Sequence, residues 1–347
     1  MKFSFNYAFI AFIFCFCSCD ESKIKATDAE ESTSLKGQPL AIESNGYPFI
    51  TMLGDNLLIR NVVDKEGIFQ LYNTEDFSLI AKFGQLGDGP LEHRDPIWMA
   101  KSSEQMLSMN TFKVYDNGRN EITEIRTNPS NYQETEFIKH PLPNATVDLV
   151  REIIIFNDTS FIYRPDEVGR FVISDRRNNK SKLIPFQVDK VLPIQESNKW
   201  QVYHSQSAVN VNKKLIVSSP RLLGQLDFFD FDGNLMKSII FDSHNHNSKT
   251  ISMPNIQNSD LKMYCSDIEL VENSIYLLIQ GRTLAESNSQ TFVDECKILK
   301  FDWEGNFLSE YKLDHFATSF AVDLRKSRIY TYNFLVEENA FYSYSIE

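Results

Sequence analysis

The stretch Leu226-Asp-Phe-Phe-Asp-Phe-Asp-Gly-Asn-Leu-Met-Lys-Ser-Ile-Ile-Phe241 decides the fold. Two runs rich in Phe, Leu and Ile flank Asp232-Gly233-Asn234, and a β-rich run, a Gly- and Asn-bearing turn and a second β-rich run make a β-hairpin. The arrangement recurs at Ile298-Leu-Lys-Phe-Asp302, where Glu304-Gly305-Asn306 leads into Phe307–Leu313. Looser copies begin at Phe69-Gln-Leu-Tyr-Asn73, Phe112-Lys-Val-Tyr-Asp116 and Phe171-Val-Ile-Ser-Asp175. Two shorter runs precede each hairpin, as with Ser266–Val271 and Ser274–Ile279, or Leu149–Phe156 and Ser160–Arg164. Each unit therefore holds four strands, the hairpin being the third and fourth. The hairpin starts at 69, 112, 171, 226 and 298 lie 43, 59, 55 and 72 residues apart. Loop insertions around a unit of ~40–50 residues accommodate that spread. Four-stranded units at this period are propeller blades.

A sixth unit starts at Phe316, with strands expected over Thr318–Asp323, Arg328–Asn333 and Ala340–Ile346, and the chain ends one strand short. Gln38–Glu43 is the unassigned β-like segment available to pair with Ala340–Ile346 and close the ring, hiding two sheet edges. The expected fold is an all-β six-bladed β-propeller over 38–347, closed by an N-terminal strand.

Composition agrees: 347 residues with 42% hydrophobic, 24% charged, 13 Gly and 12 Pro exclude collagen-like, coiled-coil and disordered classes. Lys plus Arg is 35 against 47 for Asp plus Glu, and the net charge of −12 argues against a nucleic-acid partner.

At the N-terminus, residues 1–18 hold Lys2, an apolar region from Tyr7 to Cys17 and then an abrupt change to Asp20-Glu21-Ser22-Lys23, the layout of an export signal. Of the three cysteines there, only Cys19 follows a small residue, Ser18; Cys15 and Cys17 follow Phe14 and Phe16. The segment resembles a bacterial lipoprotein signal, which implies lipid attachment at Cys19 and a cell-envelope location, with the outer membrane expected. Residues 19–37 carry Ser22, Ser32, Thr33 and Ser34 among charges and read as a flexible acidic tether.

Beyond the first hairpin stands Phe83-Gly84-Gln85-Leu86-Gly87-Asp88-Gly89-Pro90-Leu91-Glu92. With this motif the chain resembles the TolB-like six-bladed β-propeller lipoproteins of Bacteroidetes, in which a Phe-Gly-x-x-Gly-x-Gly-Pro-x-Glu segment links the first two blades. His93 departs from the Phe common in related sequences. The resemblance implies a propeller body at the cell envelope and carries no catalytic residues.

Candidate chemistry is sparse. The glycine-rich loop lacks the Gly-Lys-Ser/Thr ending of a phosphate loop, and a tight crossover between blades explains its glycines more simply. His244-Asn245-His246 has metal-like spacing without a matched third ligand and is expected in a solvated loop. Cys265 and Cys296, on strands one and three of the fifth unit, are too far apart for a disulfide if a whole strand intervenes. Five arginines are the strongest hint. Arg60 and Arg164 end second-strand runs, Arg221 and Arg282 follow such runs, and Arg94 sits in the crossover loop. All five are expected on one face, where guanidiniums suit carboxylate, sulfate or phosphate, or else cap loops and pair with acids such as Asp166 and Glu167. Trp98 and Trp200 approach the same face, as sugar platforms or as blade core.

The reading is a ligand-binding or protein-interaction module, with the membrane reached through the lipid, a protein, peptide or glycan partner at the propeller face, and neither cofactor nor metal expected. Its alternative is a metal-dependent propeller enzyme of the lactonase or lyase kind. That needs inward groups such as Asp148, Asn210, Asp267 and Asp323, which fall out of register with one another.

Overall fold

A computed structural model of the chain describes residues 32–43, 49–64, 67–98, 110–141, 152–157, 160–165, 169–175, 177–178, 180–186, 192–289, 296–336 and 340–346. The signal, Cys19, Asp148, Asp166 and Glu167 lie outside them. The described residues form six sheets, each built on antiparallel strands consecutive in sequence from the centre outwards, with an N-terminal strand added at the outer edge of two of them, and together they make a six-bladed propeller. Blade one is Phe49–Leu53, Asn56–Arg60, Phe69–Asn73 and Leu79–Phe83. Blade two is Pro96–Trp98, Thr111–Asp116, Glu121–Arg126 and Glu136–Pro141, and blade three Glu152–Asn157, Ser160–Arg164, Phe171–Asp175 and Lys180–Ile184. Blade four is Ser205–Asn210, Leu215–Pro220, Gly224–Asp230 and Leu235–Asp242. Cys265–Val271, Ser274–Ile279, Cys296–Asp302 and Phe307–Leu313 make blade five, and Ser319–Asp323, Arg328–Tyr332 and Phe341–Ser345 are the chain's own part of blade six.

Residue choice follows each strand's place in its blade. Second strands are covered on both faces by neighbouring blades, so Ser274-Ile-Tyr-Leu-Leu-Ile279 is buried from its second residue onward. Outer strands meet water, and Lys180-Ser-Lys-Leu-Ile184 buries only Ile184. Core clusters accordingly lie at the seams: Leu226, Phe228 and Ile239 of blade four pack with Ile268, Leu277 and Phe301 of blade five. The hairpin turns read from the sequence share one geometry. Asp230 and Asp302 each accept the backbone N–H of the Asn four residues on, at 2.8 and 2.7 Å, and Gly233 and Gly305 take φ of 74° and 79°. That left-handed conformation is the reason for glycine there.

Three expectations need correction. Phe112–Asp116 lies in the second strand of blade two, not the third, because an inner strand of only three residues, Pro96–Trp98, precedes it. Third strands therefore start at 69, 121, 171, 224, 296 and 341, spacings of 52, 50, 53, 72 and 45 residues. Residues 32–37 do not belong to a tether: Ser32–Leu35 adds a fifth, parallel strand to blade five, with Leu35 opposite Leu313. The closing strand is Gln38–Pro39 rather than all of Gln38–Glu43. It pairs antiparallel with Phe341–Ser345 and continues through the Leu40 amide to the Phe341 carbonyl at 2.9 Å. Ring closure by the N-terminus stands as expected. Pro39, lacking an N–H, is tolerated because it lies on the outermost strand.

Candidate functional site

Loops after second strands and crossovers between blades share one face, here the loop face; turns after first and third strands make the opposite, turn face. The turn face is mostly tight, as at residues 54–55, 211–214, 231–234, 272–273, 303–306 and 324–327. The loop face is elaborate over blades four and five. The helix Glu196–Tyr203 precedes blade four, the short helical segments His244–Asn247 and Lys249–Ser252 follow it, and Leu284–Asn288 interrupts blade five. These segments share their own apolar cluster, including Ile194, Val202, Leu222, Ile256, Met263 and Leu284, and form a cap.

Apolar exposure follows the same asymmetry. Phe49, Val63, Leu91, Met253, Phe334 and Val336 are exposed and all lie on the loop face, at the start of an inner strand or in its loops. The other exposed large hydrophobics, Leu79, Leu183, Met236 and Leu308, sit on outer strands.

The five arginines do reach the loop face, but three are engaged elsewhere. Arg60 is buried, donates to the Pro96 carbonyl at 2.6 Å and lies 4.9 Å over the Phe49 ring. Burial pushes its pKa down to about 10, against the opposing charge of Asp95. It therefore ties blade one to blade two. Arg164 donates to the Ser205 carbonyl and stands 3.5 Å from the Glu152 carboxylate. Burial raises the Glu152 pKa against the pull of Arg164, and the Arg164 bond to Ser205 fastens blade three to blade four. Arg94 is exposed and pairs with Asp88 at 2.6 Å.

Arg221 and Arg282 differ. Both flank residues 263–264: the Met263 amide donates to the Arg282 carbonyl at 2.7 Å and the Tyr264 amide to the Arg221 carbonyl at 2.6 Å. The Arg221 guanidinium meets the Met263 sulfur at 3.8 Å. Arg282 is buried, donates through Nε to Gln280 at 3.2 Å and lies 4.7 Å over the Phe316 ring. Among the described residues no carboxylate pairs with either guanidinium. Burial lowers both pKa values, and for Arg282 the charge of Arg221 lowers it further, opposed by Glu286. Glu286 is itself committed to Thr283, accepting from its amide at 2.7 Å and its hydroxyl at 3.0 Å.

Trp200 joins this neighbourhood from the cap helix. Its ring meets His204 edge-on at 5.4 Å, and the His204 carbonyl accepts the Arg221 amide at 2.6 Å. Trp98 closes the short inner strand of blade two opposite Val114, away from the cap. Sequence reasoning missed Arg170, which is fully buried, pairs with Asp227 and donates to the Ser218 hydroxyl at 3.1 Å, locking blade three to blade four. The available signal was Asp227, a carboxylate inside the apolar run Leu226-Asp-Phe-Phe.

The glycine-rich crossover spends its polar groups on itself. Glu92 accepts the Gly89 amide at 2.6 Å, and Arg119 donates to the carbonyls of Gly87 and Gly89 at 3.1 and 2.7 Å. His93 is fully buried, edge-on to Phe69 at 5.8 Å and 6.2 Å from Phe137, so it fills an aromatic position. His244-Asn245-His246 forms a helical turn rather than a loop, held by the buried Asn245 amide donating to the Leu222 and Lys262 carbonyls at 2.8 and 2.7 Å. Cys265 and Cys296 are separate buried thiols, with the strand Ser274–Ile279 between theirs. Asn210 and Asp323 cap turns, accepting from the Lys213 and Arg325 amides, whereas Asp267 accepts the Ser319 hydroxyl and Phe320 amide across the seam to blade six. Among the described residues no group of three or more His, Cys, Asp or Glu could hold a metal ion.

Six blades closed by an N-terminal strand, with a cap over two of them, define a six-bladed β-propeller. The family description "TolB-like 6-blade propeller-like" matches residues 25–325, and the chain belongs to that family. A solved member of the DUF4221 family from Bacteroides vulgatus has the same fold, with a TM-score of 0.56 at 10% identity, covering 91% of this chain and 96% of that one. A Bacteroides fragilis protein described as exported gives 0.48 at 12% identity over 90% and 95% of the two chains. A streptogramin B lyase gives 0.45 at 11% identity over 89% and 96%. No curated protein matches the chain.

Proposed function

We propose that this protein is a lipid-anchored binding module of the cell envelope, held at the outer membrane through Cys19 and engaging a ligand or partner protein, peptide or glycan with its loop face. The observation that carries this reading is the apolar exposure in the loops of one face, against tight turns on the other that expose no large hydrophobic side chain among the described residues. Of the exposed large side chains, six lie on the loop face, in its loops or at the start of an inner strand, and the other four sit on outer strands, none of them in a described turn of the turn face. Apolar side chains gathered on one face and rimmed by polar residues mark interaction sites. The layout of residues 1–23 and the Ser18-Cys19 junction support the anchor.

Two measurements test it. A photo-cross-linking amino acid at Phe334 should give adducts in intact cells, and one at the equally exposed outer-strand Leu308 should not; adducts at neither, or at both alike, refute the binding face. Cys19→Ala should release the protein from the membrane fraction while Cys15→Ala does not, and a Cys19→Ala protein that is still lipidated refutes the anchor.

A further inference from the structure

We infer that Arg221 and Arg282 together form a binding site for a doubly charged oxyanion, set at the edge of the cap between blades four and five. This rests on the reading of the loop face as the binding surface and names the chemistry that one part of it takes.

Three observations converge. First, neither guanidinium has an anionic partner among the described residues: half-buried Arg221 donates to a thioether sulfur, and buried Arg282 donates to the Gln280 side-chain oxygen beneath an aromatic face. Elsewhere on this face Arg164 and Arg94 each stand against a carboxylate, Glu152 and Asp88, and Arg60 donates to a peptide carbonyl under the charge of Asp95. Two cations drawn together in a low-dielectric setting repel, and an anion between them turns that repulsion into attraction on both sides. Second, the pair is held in place by backbone. Residues 263–264 bond to Arg221 on one side and Arg282 on the other, and the Gly281 amide adds a bond to the Met263 carbonyl at 3.0 Å. Such pre-organisation reduces the ordering cost of binding. Third, Glu286, the carboxylate whose charge reaches Arg282, is tied up in its helix cap. In a chain of net charge −12, where acids are abundant, a basic pair without one stands out.

The planar forks of two arginines match carboxylate, phosphate or sulfate oxygens bidentately, and two positive charges call for two negative ones. Trp200 and His204 supply an aromatic flank beside Arg221 for an organic remainder.

Titration with sodium sulfate, inorganic phosphate and succinate, at ionic strength held constant with sodium chloride, tests the site by thermal unfolding and calorimetry. Wild type and Arg94→Gln should show a saturable Tm rise of a few degrees with at least one of the three. Arg221→Gln and Arg282→Gln should weaken that binding tenfold or more. Arg282→Gln also loses the Phe316 contact and lowers the starting Tm, so Arg221→Gln, which gives up only a sulfur contact, decides the matter. A response to succinate alone assigns a dicarboxylate, and one to phosphate or sulfate a tetrahedral anion. No saturable rise, an equal rise in all four proteins, or unaltered affinity in Arg221→Gln overturns the proposal. The Phe334 cross-link reads partner engagement without added anion, so the two readings fail separately.

Discussion

Leu40 and Ile42 are the test of ring closure. Both are buried, at 6% and 7% exposure, and both pack in the seam where Ala321, Tyr330 and Tyr332 of blade six meet Ile50, Leu57 and Ile59 of blade one. Truncating them to Ala keeps the chain length, and hence the ordering cost, while removing apolar contact and leaving a cavity. Leu and Ile to Ala substitutions in cores cost about 2–5 kcal/mol each. Because the two side chains share one cluster their losses overlap, and about 4–6 kcal/mol is expected for the pair. That is a large part of the roughly 5–15 kcal/mol that holds a domain folded. Urea unfolding followed by circular dichroism measures the difference. Leu308→Ala, on an exposed outer strand, serves as the control and should change stability by less than about 0.5 kcal/mol. A double variant within about 1 kcal/mol of wild type would show that the N-terminal segment does not hold blades six and one together.

Removing one member of the Arg170–Asp227 pair strands a buried charge, so Arg170→Ala or Asp227→Ala should each cost about 3–5 kcal/mol. Arg170→Met with Asp227→Leu should cost much less, and additive losses in the same unfolding assay would refute the coupling. His93 is kept neutral, its pKa pushed from the ordinary 6.5 down to about 4 by burial, against the opposing charge of Asp116. Between those values the unfolded chain binds a proton that the folded chain refuses, so stability should fall by up to about 3 kcal/mol as pH drops from 6.5 to 4. His93→Phe should remove that slope without loss of stability at pH 7, since both buried ring nitrogens lack a partner. An unchanged pH profile would show that another group is responsible.

The hairpin pattern was legible because alternating apolar runs and Asp-x-x-Gly-Asn turns are local features, and the Asp230 and Asp302 turns bond as their sequences suggest. What local pattern could not show is which hairpin of a blade it marks. The turn after Phe112–Asp116 joins the second and third strands, and only the sheet order reveals it. The added strand Ser32-Thr-Ser-Leu35 was illegible for a physical reason: its backbone pairs with Glu310–Leu313 while three of its four side chains stay in solvent. Arg60 and Arg164 end second strands, as their register in the sequence indicates. Which of them are saturated depended on carbonyls from other blades, Pro96 for Arg60 and Ser205 for Arg164, and no spacing encodes those.

The same added strand sets the end of the propeller at which the described chain begins. Phe307–Leu313 is an outer strand and runs from the turn face to the loop face, and Ser32–Leu35 is parallel to it. The N-terminal end of Ser32–Leu35 therefore points to the turn face, and the chain is handed on at its other end to Gln38–Pro39 of blade six. With Cys19 as the anchor, twelve intervening residues span at most about 40 Å when extended. That span exceeds the roughly 20 Å length of a six-residue strand, so under the proposed anchoring either face comes within reach of the lipid, and the Phe334 cross-link reports which partners the loop face meets.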